Sequence, residues 1–377
     1  MAQRGIDALL CLKPQNSFYL SGFNPIIYSH PVVAILPREG EPMLLVHALR
    51  DDHARTSAWA EEICLYGAWS TKVTMGPDWL AALHTILEQR GLADSTLGVE
   101  FDFLSVGVMQ KIREHLPAAH FVDASLVITE TRMVKDPDEI EQIRIAARIA
   151  DIGMAAALAA AVGRSSEQEI SVQAMAAMNR AWLHLYPGCE VGDFGSLEGG
   201  VLNGLWCYCL VGDRVALNCD IPTPRQPVEG ELALIVNWTC CNGLHAENER
   251  TVAFGQTDKQ RRDAYEAILR IREEAQRAIR PGATCADVYQ AAKVIYERLG
   301  YGRYLPGRIG HGMGLGPHEH PSFGPTDQTV LTPGMVMTFE PNLRIAEWGG
   351  LQHSDTLLIT DDGFEYLTQT ERGFIQL

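Results

Sequence analysis

Gly310-His311-Gly312-Met313-Gly314-Leu315-Gly316-Pro317-His318-Glu319-His320-Pro321 is the stretch on which the reading of this chain turns. Glycine at every second position from Gly310 to Gly316 leaves a backbone almost bare except for its imidazoles. Glycine permits positive φ and lets a ligand approach the main chain. Imidazole is the side chain best suited to move protons or hold a metal near neutral pH. The stretch therefore reads as one wall of a site, with His311 and His318 pointing into it. The plain alternative is a glycine-rich connector carrying surface histidines.

Three other stretches concentrate polar groups within apolar, strand-like surroundings. They are Asn237 to Thr251, ending Glu247-Asn248-Glu249-Arg250-Thr251; Phe339-Glu340-Pro341-Asn342; and Gly349 to Thr356, which includes His353, Ser354 and Asp355. In a strand, Glu247 and Glu249 share one face while Asn248 takes the other. Paired carboxylates on one face can bind a metal, hold a cationic substrate, or divide into acid and base. The alternative is an exposed edge strand with a charged face.

The rest of the composition sets limits. A chain of 377 residues is long enough for two domains with separate cores. Its 46% apolar and 21% charged residues are ordinary for a globular protein. A net charge of −16 argues against nucleic acid, whose phosphates need basic patches. The sequence shows no apolar run near the roughly 18 residues of a membrane span, and no membrane partner is expected. No signal peptide precedes the first strand-like run, so a cytoplasmic location is expected. Met1 to Gly5 reads as the last turn of a helix with its C-cap glycine, an abrupt start that implies residues upstream. Of the nine cysteines, five fall between Cys207 and Cys241, and none has paired zinc spacing. Most read as small buried hydrophobes in a reduced interior.

Along the chain, residues 1–131 predict a layered α/β domain. Strand-like runs at Ala8–Leu12, Pro31–Leu36, Pro42–Val46 and Thr96–Glu100 alternate with helical patterns at Trp79–Arg90 and Val106–Leu116. Residues 132–377 form the second domain. Asp136 is an N-cap, Pro137 suits the first helical position, and a long amphipathic helix runs on through Ala161. A second helix runs from Ser166 to about Leu185. Strands at Trp206–Ala216, Leu232–Trp238, Thr251–Phe254, Val336–Glu340 and Ser354–Thr360, with helices at Gln260–Ile279 and Ala286–Leu299, predict an α+β domain rather than βαβ units.

These motifs together resemble the creatinase, prolidase and aminopeptidase P family, and the resemblance covers nearly the whole chain. It implies an α+β architecture: a pita-bread catalytic domain preceded by a smaller layered α/β creatinase-type N-terminal domain. The family's metallopeptidases hold two metal ions with two aspartates, one histidine and two glutamates. The resemblance places the histidine on His311, the first glutamate on Glu340 and the second aspartate on Glu247. The first aspartate falls on Val236, or on Asn237 after a slip of one, and the second glutamate falls on Ser354. Neither valine, asparagine nor serine replaces an anionic ligand.

The resemblance is therefore nearest to the metal-independent branch of creatinases and ectoine hydrolases, and it implies no cofactor. On that branch Glu249 corresponds to a substrate-binding glutamate. His30, beside Tyr28, stands where the partner subunit contributes a lid residue, which implies a homodimer completed in trans. Cys219 stands where creatinase has its catalytic histidine. It reads either as a thiol nucleophile or as a small residue making room.

The expected function is metal-independent hydrolysis of a non-peptide C–N bond in a small guanidino, amidine or cyclic-amide substrate. Glu249 and Glu340 would hold its cation, His311 or His318 would shuttle the proton, and Glu247 would activate water. Tyr28, His30, Asn237, His353 and Ser354 are the expected substrate contacts. The first rival is an Xaa-Pro peptidase with a residual mononuclear metal site on Glu247, His311 and Glu340. The second is a binding module without catalysis.

Overall fold

The computed structural model describes residues 1–194 and 203–377. These fall into two compact units, one built on Met1–Thr131 and the other on Arg132–Gly192 with Asn203–Leu377.

In the first unit, strands β1 (Ala8–Cys11), β2 (Val33–Pro37), β3 (Met43–His47), β4 (Glu62–Tyr66), β5 (Thr96–Val99) and β6 (His120–Asp123) form a mixed sheet in the order β4-β3-β2-β1-β5-β6. Its helices are α1 (Pro14–Ser21), α2 (Asp51–Ser57), α3 (Trp79–Gln89), α4 (Val106–His115) and α5, which begins at Ser125 and ends at Met133. Short apolar runs such as Ala8-Leu9-Leu10-Cys11 are buried on both faces, as a strand between two helical layers must be. Leu10, Val33 and Leu45 pack on Leu83, Ile86 and Leu87 of α3 and on Ile112 of α4. Leu9, Cys11 and Ala34 pack on the opposite side with Tyr19 of α1 and Ile128 of α5.

The second unit opens with α6 (Pro137–Val162) and α7 (Glu167–Leu185). Asp136 starts α6 through a full capping box with Glu139. By length and composition α6 would qualify as a membrane span, its most apolar 18-residue window having a mean hydropathy of 1.7, which corrects the reading that no such run exists. Its apolar side is occupied inside this unit, where Ile143, Ala146, Ile149 and Ala150 are fully buried.

Next come β7 (Trp206–Val211), β8 (Leu232–Cys241), β9 (Leu244–Ala253), α8 (Lys259–Ala275), α9 (Cys285–Arg298), β10 (His311–Gly312), β11 (Glu319–Ser322), β12 (Val336–Phe339), β13 (Asn342–Ile345), β14 (Gly349–Gln352), β15 (Ser354–Ile359), β16 (Phe364–Tyr366) and β17 (Ile375–Gln376). The main sheet runs β11-β10-β12-β15-β9-β8-β7 and is antiparallel along that path, while β13 and β14 form a separate ribbon. Helices α8 and α9 pack on it through Tyr265, Ile268, Ile271, Val288 and Tyr296.

Strands β8 and β9 are one hairpin, turned by Asn242 and Gly243, both at positive φ. On its helix side Asn237 donates to the Ala150 carbonyl (3.2 Å), Thr239 to that of Ala146 (2.8 Å), and Asn248 to Asp151 (2.8 Å). The other face is left for the site. Cys189 and Cys241 pair as a disulfide, contrary to expectation, whereas the other seven cysteines are in no disulfide and all but Cys219 are buried.

Candidate active site

Strand parity builds the site. On the face of the hairpin away from α6, Trp238 lies opposite Glu247 and Val236 opposite Glu249. On the next strand Ser354 lies opposite Glu249 from the other side. Five side chains from three strands thus share one surface. Beneath them the buried Arg250 donates to the carbonyls of Glu249 (2.7 Å) and Ser354 (2.8 Å) and to Asp355 Oδ1 (2.7 Å). Arg272 donates to the other oxygen of Asp355. This buried ion network ties β9 to β15 at the level of the site.

The glycine stretch supplies the opposite wall. A Cβ on Gly310 would lie 2.2 Å from the Thr338 carbonyl oxygen, so only glycine lets the chain run that close to β12. His311 is then fully buried: its amide donates to Thr338 Oγ1 (3.0 Å) and its Nδ1 to the Gly312 carbonyl (3.0 Å). With the proton on Nδ1, Nε2 presents a lone pair to the site. It lies 3.6 Å from Glu340 Oε1 and 3.9 Å from Glu247 Oε2. The His311 and His318 rings are 4.4 Å apart.

A cavity of about 790 Å³ opens on these groups, lined by Glu247, Glu249, Glu340, His318 and Cys219 together with Tyr208, Trp238, Arg308, Arg344 and Gln352. Trp238 Nε1 donates to Glu247 Oε2 (2.7 Å), and Gln352 Nε2 donates to Glu249 Oε2 (2.6 Å). Arg308 lies 3.8 Å from Glu340.

Burial, and then repulsion among the carboxylates, raises the pKa of Glu249 well above the ordinary range and that of Glu340 to about 8. Burial also raises Glu247, against the opposing pull of Ser354 and Trp238. Burial lowers His311 to about 4; burial and then the adjacent His311 lower His318 to about 4. Both imidazoles are therefore neutral donors of lone pairs at pH 7.

Several expected contacts lie elsewhere. Asn237 faces α6, because Val236 and Trp238 take the cavity side of the same strand. His353 faces the helical layer and contacts the Tyr265 hydroxyl (3.0 Å), while Gln352 and Ser354 on either side face the site. Tyr28 is a core residue of the first unit, packed with Phe23, Val32 and Leu44, because its ring is worth more buried than displayed. His30 is half-buried in that unit, its ring 4.2 Å from His47. Cys219 stands exposed on the cavity wall. The sequence reading passed over Trp238, Gln352, Arg308 and Arg344. Trp238 and Gln352 carried a legible signal, since each sits two residues from a position already singled out.

The donors fall into two overlapping groups that could hold a divalent ion, both of which include Glu247. Among the described residues, Glu247 Oε1 and His311 Nε2 are buried with no hydrogen-bond partner. Glu247, His311 and His318 bring ligand atoms within 4.8 Å of one another, and so do Glu247, Glu249 and Glu340. Val236 offers no donor, and Ser354 offers only a neutral hydroxyl.

A mixed α/β unit leading into a pita-bread sheet with this polar centre is a family arrangement, and the chain belongs to metallopeptidase family M24. That family's profile matches residues 141–361, and the creatinase/prolidase N-terminal domain matches residues 1–134. Among its relatives, the Xaa-Pro dipeptidase of Pyrococcus furiosus is 30% identical over 100% of this chain and 97% of that protein. The Xaa-Pro dipeptidase of Pyrococcus horikoshii is 28% identical over 100% and 96%. The solved prolidase of Thermococcus sibiricus superposes with a TM-score of 0.85 at 25% identity, covering 100% of this chain and 96% of that one. These relatives are peptidases. They overturn the expectation of a metal-independent, creatinase-like hydrolase of non-peptide C–N bonds, which rested on the carboxylates absent at Val236 and Ser354.

Proposed function

We propose that this chain is a dipeptidase acting on Xaa-Pro-type dipeptides, with one divalent metal ion held by Glu247, His311 and Glu340. The carrying observation is the pair of orphaned buried atoms, Glu247 Oε1 and His311 Nε2, the latter 3.6 Å from Glu340 Oε1 and 3.9 Å from Glu247 Oε2. A buried carboxylate oxygen and an imidazole lone pair without partners are costly unless a cation meets them. Such an ion, when bound, acidifies its water and polarises the scissile carbonyl.

The chain's own groups do the rest. The Gly312 carbonyl fixes the His311 tautomer, and Trp238 fixes the Glu247 carboxylate. His318, neutral and open to the cavity, accepts a proton from the attacking water and hands it on to the departing nitrogen. Arg308 and Arg344 receive the substrate's carboxylate, for which a guanidinium is well suited. The cavity volume suits a dipeptide rather than a long peptide. We also propose a homodimer in which His30 serves the neighbouring copy's cavity.

The test is to strip the chain with a chelator, add back Mn²⁺, Co²⁺ or Zn²⁺, and assay Ala-Pro and Leu-Pro beside Ala-Leu. Hydrolysis of the Xaa-Pro pair that vanishes with chelator and returns with metal is the expected result. A metal-loaded chain that cleaves none of the three overturns the reading.

A further inference from the structure

We infer that Glu249 is a further ligand of this ion, one that makes the centre oxygen-rich and suits it to a hard divalent cation such as Mn²⁺. The inference rests on the mononuclear reading above and adds a residue to it. On the site face, Glu249 stands between Val236 on β8 and Ser354 on β15, its two cross-strand neighbours. Neither neighbour carries a charge, so Glu249 supplies the only carboxylate across those three strand positions. One of its oxygens lies within 4.8 Å of one oxygen each from Glu247 and Glu340, a grouping that shares Glu247 with the one formed by His311 and His318.

Gln352 donates to Oε2 and holds the carboxyl in one orientation on the cavity wall. An amide that positions a carboxylate in this way is what an outer partner of a ligand does. The independent sign of a ligand is the unpartnered, fully buried His311 Nε2, which lies between Glu247 and Glu340. With Glu249 included, the set is three carboxylates and one imidazole. Carboxylate-dominated sets suit Mg²⁺, Ca²⁺ and Mn²⁺, whereas sets richer in imidazole or thiolate suit Zn²⁺ and Cu²⁺.

The experiment titrates Mn²⁺ into the full chain, following loss of the free-ion signal by electron paramagnetic resonance and heat by calorimetry. The wild type is expected to take up one Mn²⁺ per chain. Glu249→Gln keeps the shape and removes the charge, and should weaken Mn²⁺ binding at least tenfold, on the order of what loss of a ligand or its support costs, with Zn²⁺ affinity falling less. The double variant Glu249→Thr with Ser354→Glu, which moves the carboxylate one strand across the same face, should recover most of the loss. As a measurement free of variants, anomalous scattering from a Mn²⁺-soaked crystal should place a Glu249 oxygen in the coordination shell. Unchanged Mn²⁺ affinity in Glu249→Gln, or a bound ion whose shell omits Glu249, overturns the inference and leaves the site of Glu247, His311 and Glu340 standing. No binding of Mn²⁺, Co²⁺ or Zn²⁺ to the wild type overturns both.

Discussion

Parity decided which side chains reach the site. Glu247, Glu249, His311 and Glu340 were legible because each sits in a short motif whose chemistry has few other uses. Asn237 and His353 were misplaced by a single position each, and in a strand one position is a change of face. Tyr28 was misjudged differently, since packing in its own unit outweighed any role at a surface. The clearest single-residue test is Trp238→Phe, which keeps an aromatic ring 5.5 Å from His318 but deletes the donor to Glu247. Metal affinity should fall roughly 10–100-fold, read by calorimetry; an unchanged value would show that this bond does not hold the carboxylate. Cys219→Ala should keep kcat/KM within about tenfold, a barrier change of roughly 1.4 kcal/mol. That outcome favours a space-making residue, while complete loss of turnover in a folded variant would make the thiol a participant.

Among the elements, those with strong periodicity or a cap were readable and those without were not. Helix α6 announced itself through Asp136 and Pro137, and α3 through the apolar spacing that ends near Gly91. The hairpin of β8 and β9 was seen only in part. All ten residues of β9 are buried, yet its run of Glu, Asn, Glu and Arg has none of the apolar character that marks a central strand. What stabilises so polar a strand is the ion network under it, and such long-range pairing is invisible to local pattern. Asp355 is the test of that account. Burial by itself would raise its pKa, but Arg250, Arg272 and Arg372 together draw it below the usual carboxylate value. Asp355→Asn leaves the buried Arg250 and Arg272 uncompensated and should cost about 3–5 kcal/mol, seen as a lowered urea midpoint. A loss below about 1 kcal/mol would mean that the network is not what fastens β9 to β15.

At the scale of the whole molecule, the two-part organisation followed from a change in character near Arg132, where βα alternation gives way to paired helices and gathered strands. The expectation of a homodimer rested only on the resemblance at Tyr28 and His30. If His30 serves the neighbouring copy, light scattering should give twice the chain mass of 41.6 kDa. His30→Ala should then lower kcat/KM for a dipeptide while metal affinity stays constant, and a monomer with full activity would end the idea. The hairpin also bears on the order in which the protein assembles. Glu247, Glu249, Trp238 and Val236 all belong to one local excursion of the chain, closed by a two-residue turn. Hairpins close in about 1–10 μs, and loop-closure entropy grows with the sequence separation of what must meet. His311, Glu340 and Ser354 come from much farther along, so a chain emerging from the ribosome completes its acidic strands long before the imidazoles exist to face them. The proposed ligand set would therefore be complete only once His311 and Glu340 have been made and have met the hairpin.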